Sequence, residues 1–529
     1  MKYHICRLKI TSFFIYDNAI RSAAKALILK EVSPMKKIVA IMMTVMMLSA
    51  LVPMAMAEDT VLTFATTWSG GPNAVEATDS IYMQKWMEAT GIKVTAVPAT
   101  DEQLATNPVK PDIIKVFDTG KTMGSDVYTL ITYGDIIPLN DLFDAGYGEN
   151  YRAWLEKIPG ADKMVKNDDG VYPAFYMLRA ADSPKSFSGM LIRQDWLTEL
   201  GLEMPKTLAD WDNVLRTFKE KKGAYLSGMW AGLQGLEYAF VVTDTFFQDG
   251  STVKFGPIEN NYKEFLTQYN TWYKDGILDP DIFTESADAV YAKIANGEIG
   301  AVFGYTGSTF NKILTMDADV ASAWVPAPVA VYSEEDPRNV AFKTQPMQTT
   351  GYMISADCKN PELAAQFIDW IYSEEGTMLS NFGVEGESYE YIDGVPTFTD
   401  LINNNPNGLG RTDALETYAG ESNKPCVITR EGMMASYTQE VQQKSLEVWM
   451  DEDNTIREIP TLTFTADEQD ELSRIMTDVS TFVSENRINF IYGNRPLDEF
   501  DAFVSALHAM NIDRALEIYQ AAFDRYLAR

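Results

Sequence analysis

From Val61 onward the chain alternates short apolar runs with amphipathic ones, and this alternation limits the fold more than any other feature. VLTFAT (61–66) is a strand pattern, and AVEATDSIYMQKWMEATG brings Ile81, Met83, Trp86 and Met87 close to one helical face before Gly91 stops the helix. IKVTAV and PDIIKV (111–116) are the next strands. Strand and helix in turn predict an α/β architecture with largely parallel sheets. Further on, NNYKEFLTQYNTWYKDG and ADAVYAKIANG read as helices closed by Gly276 and Gly297, and IGAVFGYTG as a buried strand entering a turn. NPELAAQFIDWIYSEEG is one helix whose Leu363, Phe367, Trp370 and Ile371 share a face. From Ala466 to Arg529 the pattern is almost wholly helical, with Phe482, Phe490, Tyr519, Phe523 and Tyr526 on apolar positions. No internal repeat, low-complexity tract or obvious linker interrupts it, so lobes that exchange chain segments are expected.

The stretch before Val61 has different physics. In MKKIVAIMMTVMMLSALVPMAMAEDT (35–60), Lys36 and Lys37 precede an uncharged run from Ile38 to Val52, and small residues ending Ala55-Met56-Ala57 stand before Glu58. That is the layout of a secretory signal peptide cut between Ala57 and Glu58, with Met35 as the true start. The alternative, a retained anchor, is disfavoured by a run shorter than the roughly 20 residues a bilayer span needs. Residues 1–57 carry eight Lys/Arg and two Asp/Glu, so their removal takes the net charge from −31 to −37. Nucleic acid and anionic lipid are poor partners for such a surface. Cys358 and Cys426 remain after the leader, and two free thiols are expected because a chain this long does not need a disulfide to hold a core. The best later apolar stretch, Tyr238 to Phe247, is broken by Thr243 and Asp244.

Catalytic motifs fail on inspection. DTGKTMGS (118–125) contains Gly-Lys-Thr, but Lys115 stands where a phosphate loop needs glycine. His508 is the single histidine beyond the leader, which leaves no multi-His metal site and no second candidate for a triad. No Gly-x-Ser-x-Gly or Cys-x-x-Cys occurs. A carboxylate pair of the glycosidase kind stays open, since the chain has dozens of acids and sequence does not measure their separation.

Four segments carry a family likeness: YGDIIPLNDLF (133–143), MLIRQDWLTELGLEMPKTLADW (190–211), CKNPELAAQFIDWIYSEEGTMLSNFGVEGESYEY (358–391) and FIYGNRPLDEFDAFVSALHAMNIDRALEIYQAAFDRY (490–526). Together they resemble the extracellular solute-binding proteins of family 1, especially the long lipoprotein-like members that feed carbohydrate ABC transporters. The resemblance implies a type II periplasmic-binding-protein-like fold: two α/β lobes, a hinge crossed more than once, a helical C-terminal part and a ligand enclosed between the lobes. Lobe 1 is expected to comprise 58–178 plus about 345–385, and lobe 2 about 190–340 plus 386–529. A carbohydrate ligand and ABC permease subunits are the implied partners, acting on an exported monomer that is extracellular, cell-wall-associated or periplasmic; no cofactor is expected. Two departures matter. Ala57 and Glu58 stand where many relatives have a lipid-bearing cysteine, so no lipid tether is expected. Where some relatives carry a calcium loop this chain reads KEKKGAYLSGMW, with Lys219, Lys221 and Lys222 in place of the oxygen ligands Ca²⁺ requires.

A sugar presents apolar CH faces and a rim of hydroxyls, so its cleft wants aromatic platforms with carboxylate or amide groups, on loops at the carboxyl ends of strands. Trp68 follows the first strand, Asp118 the third, and Trp230 sits among small residues in SGMWAG; a lobe-surface or core tryptophan, a turn-forming Asp and deep packing are their respective alternatives. Tyr305 follows IGAVFG at a position resembling one where relatives put an aromatic residue against the ligand. Glu385 and Tyr389, in VEGESYEY, lie in what resembles a hinge-side loop, with packing as the equal alternative. Asp195 reads as a helix N-cap, and Trp196 and Trp370 as core. The competing functional classes are a secreted carbohydrate-active enzyme and a ligand-sensing surface protein.

Overall fold

A computed structural model describes residues 61–66, 79–116, 121–123, 125–184, 186–229, 235–241, 243–336, 345–420, 424–449 and 458–529. The proposed leader, with its cut at Ala57 and Glu58, lies outside these residues. Ten strands build two sheets: β1 (Val61–Thr66), β2 (Lys93–Pro98), β3 (Ile113–Val116), β4 (Phe175–Arg179), β5 (Ser188–Arg193), β6 (Tyr225–Gly228), β7 (Ile299–Tyr305), β8 (Trp324–Pro326), β9 (Met347–Ile354) and β10 (Val427–Ile428). The first sheet has the order β10-β4-β9-β3-β1-β2 and the second β8-β5-β7-β6.

The first helix shows how local sequence places these elements. Ser80 caps it by accepting a hydrogen bond from the Met83 amide, and Gly91 ends it in the left-handed conformation at φ 68°. Its buried face is Tyr82, Met83 and Trp86, with Ile81 and Met87 half-buried, one position round from the expected face. Trp86 stacks on Phe367 with centroids 4.2 Å apart and donates its indole N–H to the Phe367 carbonyl at 2.8 Å. Two distant segments thereby share one core. The expected single helix at 360–376 is instead two, Pro361–Trp370 and Glu374–Phe382, because Ser373 turns its side chain to the Gly376 amide and starts a new helix.

Neither sheet is wholly parallel. β1 pairs in parallel with β2 and β3, as does β10 with β4, but β9 runs antiparallel to both β3 and β4. In the second sheet β7 is antiparallel to β5 and parallel to β6. The expectation of largely parallel sheets fails because β9 re-enters the first sheet from the other lobe and not through a local crossover helix.

Two large cores follow this division. One gathers side chains from Leu62 to Ala180, from Met347 to Leu379, and Cys426 with Val427; the other runs from Met190 to Ala330 and from Leu472 to Phe523. Between them the chain passes from β4 to β5, from β8 to β9, and again between β10 and the helix Glu440–Trp449. The expected second lobe includes residues 426–428, but Val427 and Ile428 pair with β4 of the first sheet. Phe382, Tyr389, Phe398, Ile402 and Ala414 form a small satellite cluster. Cys358 and Cys426 are free thiols. Among the described residues no helix is long and apolar enough to cross a membrane.

The last helix, Ile512–Ala528, belongs to the second core yet ends on the first lobe. Arg525 and Arg529 both donate to the Asp168 carboxylate, at 2.7 and 2.8 Å, and Arg529 also donates to the carbonyls of Lys163 and Lys166 at 2.7 and 2.6 Å. Tyr526 touches both cores. This clasp joins the lobes independently of the hinge strands.

Burial pushes the Glu458 carboxyl from 4.5 up to about 7, against an opposing hydrogen bond from Gln345. Because the folded value lies above the unfolded one, the folded chain holds the extra proton in that window, and this group's contribution falls as pH rises through it. The melting temperature of Glu458→Gln minus that of the parent is therefore expected to increase between pH 4.5 and pH 8; a difference independent of pH would refute the assignment.

Candidate functional site

β4 and β10 run in parallel, so Arg179 and Ile428 stand at carboxyl ends on the same side of the first sheet. A cavity of about 490 Å³ opens there, within the range of small-molecule sites. Its floor is Met177, Arg179 and Gln348 from β4 and β9, and its walls come from the helices Glu374–Phe382, Arg411–Ala419 and Arg430–Ala435. Phe187, immediately before β5, and Tyr437, on the way back to the second lobe, close it where the chain changes lobes.

Asn381 holds the walls together. Its amide nitrogen donates to the carbonyls of Thr377 and Val427, both at 2.8 Å, and its oxygen accepts from the Thr429 amide at 3.2 Å. Thr429 in turn caps the helix Arg430–Ala435 through the Gly432 amide at 3.0 Å. Gly432 is obligatory there, since a Cβ would run into the Asn381 side chain. Arg411 secures the other end of that helix, donating to the carbonyls of Ala435 and Ser436 at 2.9 and 2.7 Å.

The lining supplies aromatic faces in Phe187 and Tyr437, an amide in Gln348, and hydroxyls in Ser380, Thr412 and Ser436, while the Asn381 amide is spent on Thr377, Val427 and Thr429 within the wall. The Arg179 guanidinium lies over the Phe187 ring, 5.8 Å from its centroid. Burial raises the Tyr437 phenol while Arg179 pulls it back. Among the described lining residues Glu416 is the one carboxylate.

Trp68, Asp118 and Trp230 lie outside the described residues. Tyr305 ends β7 and packs on Phe187 with centroids 5.8 Å apart, one ring removed from the cavity. Glu385 is exposed on the turn before a hairpin, and Tyr389 is buried against Phe382, with centroids 5.5 Å apart, in the satellite cluster. Neither of these two is among the cavity's lining residues. Sequence reasoning missed Arg179, Phe187, Asn381, Lys424 and Tyr437; Ser380 and Asn381 fall inside the motif quoted for the likeness, a turn before Glu385.

Asp195 is not the N-cap: the helix Gln194–Leu200 starts after Arg193, whose guanidinium binds the Asp195 carboxylate at 2.8 Å. Trp196 is buried and Trp370 half-buried against the first core. His508 is exposed, with its Nδ1 2.8 Å from Asp513. At the position considered for calcium, Lys219 sits over the Tyr225 ring at 3.8 Å and Lys222 pairs with Glu199 at 2.6 Å.

Residues 71–378 match the family profile described as bacterial extracellular solute-binding protein. The chain belongs to that family. Among relatives of this solute-binding protein, Lipoprotein LipO of Bacillus subtilis is 27% identical over 291 residues, 49% of this chain and 54% of that one. The fructooligosaccharide ABC transporter substrate-binding protein FusA of Streptococcus pneumoniae serotype 4 is 22% identical over 435 residues, 75% of this chain and 77% of FusA. The solved structure of FusA with kestose covers 89% of this chain and 100% of its own at TM-score 0.66 and 20% identity. An HMO-binding, ABC-transporter-associated solute-binding protein of Bifidobacterium longum infantis reaches TM-score 0.72 at 16% identity, covering 89% of this chain and 99% of that one. These likenesses give the two-lobed fold of solute-binding proteins.

Proposed function

We propose that this solute-binding protein captures an oligosaccharide in the 490 Å³ cavity and delivers it to an ABC permease. The observation that carries the reading is the cavity itself: aromatic, amide and hydroxyl side chains meet at strand carboxyl ends where the chain passes between lobes, as a polyol with apolar faces demands. Ligand that touches both lobes stabilises the arrangement in which they enclose it, and the permease reads that arrangement. No covalent step is needed, and the chain is proposed to act as an exported monomer without lipid anchor, enzymatic activity or nucleic-acid partner. Residues 61–180 and 345–428, the latter including the satellite cluster, are proposed to form one lobe, and 188–332 with 440–529 the other. Trp68, Asp118, Trp230 and Tyr305 stay proposed ligand contacts; Glu385 and Tyr389 are proposed to shape the wall from behind.

Thermal-shift and calorimetric titration against an oligosaccharide panel tests the reading, with chromatography of the sugar after incubation. Saturable binding of intact sugar is expected, and Phe187→Ala and Tyr437→Ala are each expected to weaken it about tenfold. Steady release of shorter products would replace this function with that of an enzyme.

A further inference from the structure

Both aromatic walls of the cavity sit on chain that passes between the lobes, and the backbone there is held from one side. The helix Glu440–Trp449 of the second lobe carries Gln442, Ser445 and Trp449 on one face, at i, i+3 and i+7. All three are at most 3% exposed. Burying an amide or a hydroxyl is costly unless its hydrogen bonds are made, so the partners of these side chains matter. Gln442 donates its side-chain N–H to the Thr306 carbonyl at 3.0 Å. Ser445 gives its one hydroxyl proton to the Gln442 carbonyl at 2.6 Å, so the Thr306 hydroxyl, 2.8 Å from Ser445 Oγ, is the donor of that pair. Trp449 donates its indole N–H to the Ala327 carbonyl at 3.0 Å, and its ring lies so close to Gly189 that a Cβ there would run into it.

From Thr306 the tie reaches Phe187. The Thr306 amide donates to the Phe187 carbonyl at 2.9 Å, next to the packing of Tyr305 on the Phe187 ring. Tyr437 is held by the same helix: Gln443 donates to the Tyr437 carbonyl at 3.0 Å, and the Tyr437 ring borders Gly307, where an added Cβ would stand 3.4 Å from the phenolic oxygen. Met177 and Gln348, on the floor, belong to the sheet of the first lobe. The aromatic walls and the floor of one cavity are therefore anchored in different lobes.

We propose that Gln442, Gln443 and Ser445 are positioning residues for ligand capture: they hold Phe187 and Tyr437 to the second lobe, so that the aromatic faces travel with that lobe and close on a sugar lying on the first lobe's floor. This rests on the oligosaccharide reading above and adds to it the side chains that carry lobe movement to the ligand. None of the three is among the cavity's lining residues, so none acts by touching the sugar.

The test is calorimetric titration of the full chain with maltotriose, cellotriose, xylotriose and mannotriose, followed by double-mutant cycles on the sugar that binds most tightly. Gln442→Leu and Ser445→Ala are each expected to weaken that sugar about fivefold in the parent and less than about twofold in a Phe187→Ala background, where the face they position is already gone. Gln443→Ala is expected to behave in the same way against Tyr437→Ala. Ser445→Ala, the milder change, carries the first cycle if Gln442→Leu lowers the yield of folded chain. A role confined to packing would lower the melting temperature and give equal losses in both backgrounds, and that additivity would overturn the proposal. Hydrogen exchange without sugar is a second readout: the Thr306 amide is expected to exchange faster in Ser445→Ala than in the parent, and unchanged protection would remove the tie to Phe187. Binding without coupling overturns the positioning role and leaves the oligosaccharide reading intact. Failure of every sugar to bind would overturn both.

Discussion

Asn381→Leu is expected to loosen the whole cavity wall. Leucine fills nearly the same volume but offers no hydrogen bond, so the buried Val427 carbonyl and the part-buried Thr429 amide lose their partners. Each orphaned group costs about 1–3 kcal/mol, giving roughly 2–4 kcal/mol for the substitution. The loss falls on β10, which adds only two residues to the sheet edge, and on the helix that Thr429 caps. Hydrogen exchange over 424–437 should therefore accelerate far more than exchange in the second lobe, with a lower melting temperature and weaker sugar binding. Unchanged protection of β10 would show that Asn381 is not the tie described. Local exchange is the better readout because a two-lobed chain need not melt in one step.

The second large effect is expected at the C-terminal clasp. Asp168→Ala removes the one carboxylate that Arg525 and Arg529 share, and the Arg529 side chain, 4% exposed, is left among carbonyls. Asp168 itself is 26% exposed, so part of the gain is screened by water; about 1–2 kcal/mol is expected. Exchange should rise together at 162–168 and 520–529, on two lobes far apart in sequence. Lysine at 168 should do more damage than alanine, because it sets a like charge against two guanidinium groups. A variant that melts like the parent and keeps both segments protected would leave the clasp without an energetic role.

Some of this was legible from residue order. Thr465 followed by Glu468 is a capping box, and the long helix begins at Ala466 where the pattern predicts. Gly91, Gly276 and Gly297 all take positive φ at or just past helix ends, as the reading required. IGAVFGY is the buried strand expected, buried at every position but Tyr305. What failed was non-local. Nothing in MQTTGYMI says that it will be inserted between β3 and β4, and a two-residue strand such as β10 has no period to detect. Tyr389 reads as a loop aromatic free to face a ligand, but its neighbours across a hairpin, above all Phe398, give it a core of its own. The cavity is assembled from strand ends and helices far apart in sequence, so its residues share no motif; Arg179 and Lys424 are ordinary charged residues until the fold buries them.

The place of β9 has a consequence for how the protein is made. It is an inner strand of the first sheet, yet it is synthesised after all four strands of the second lobe's sheet. Until Met347–Ile354 leave the ribosome, β3 and β4 each have an open edge, and Cys426 and Val427 arrive later still to complete that core. The N-terminal lobe cannot lock as it emerges.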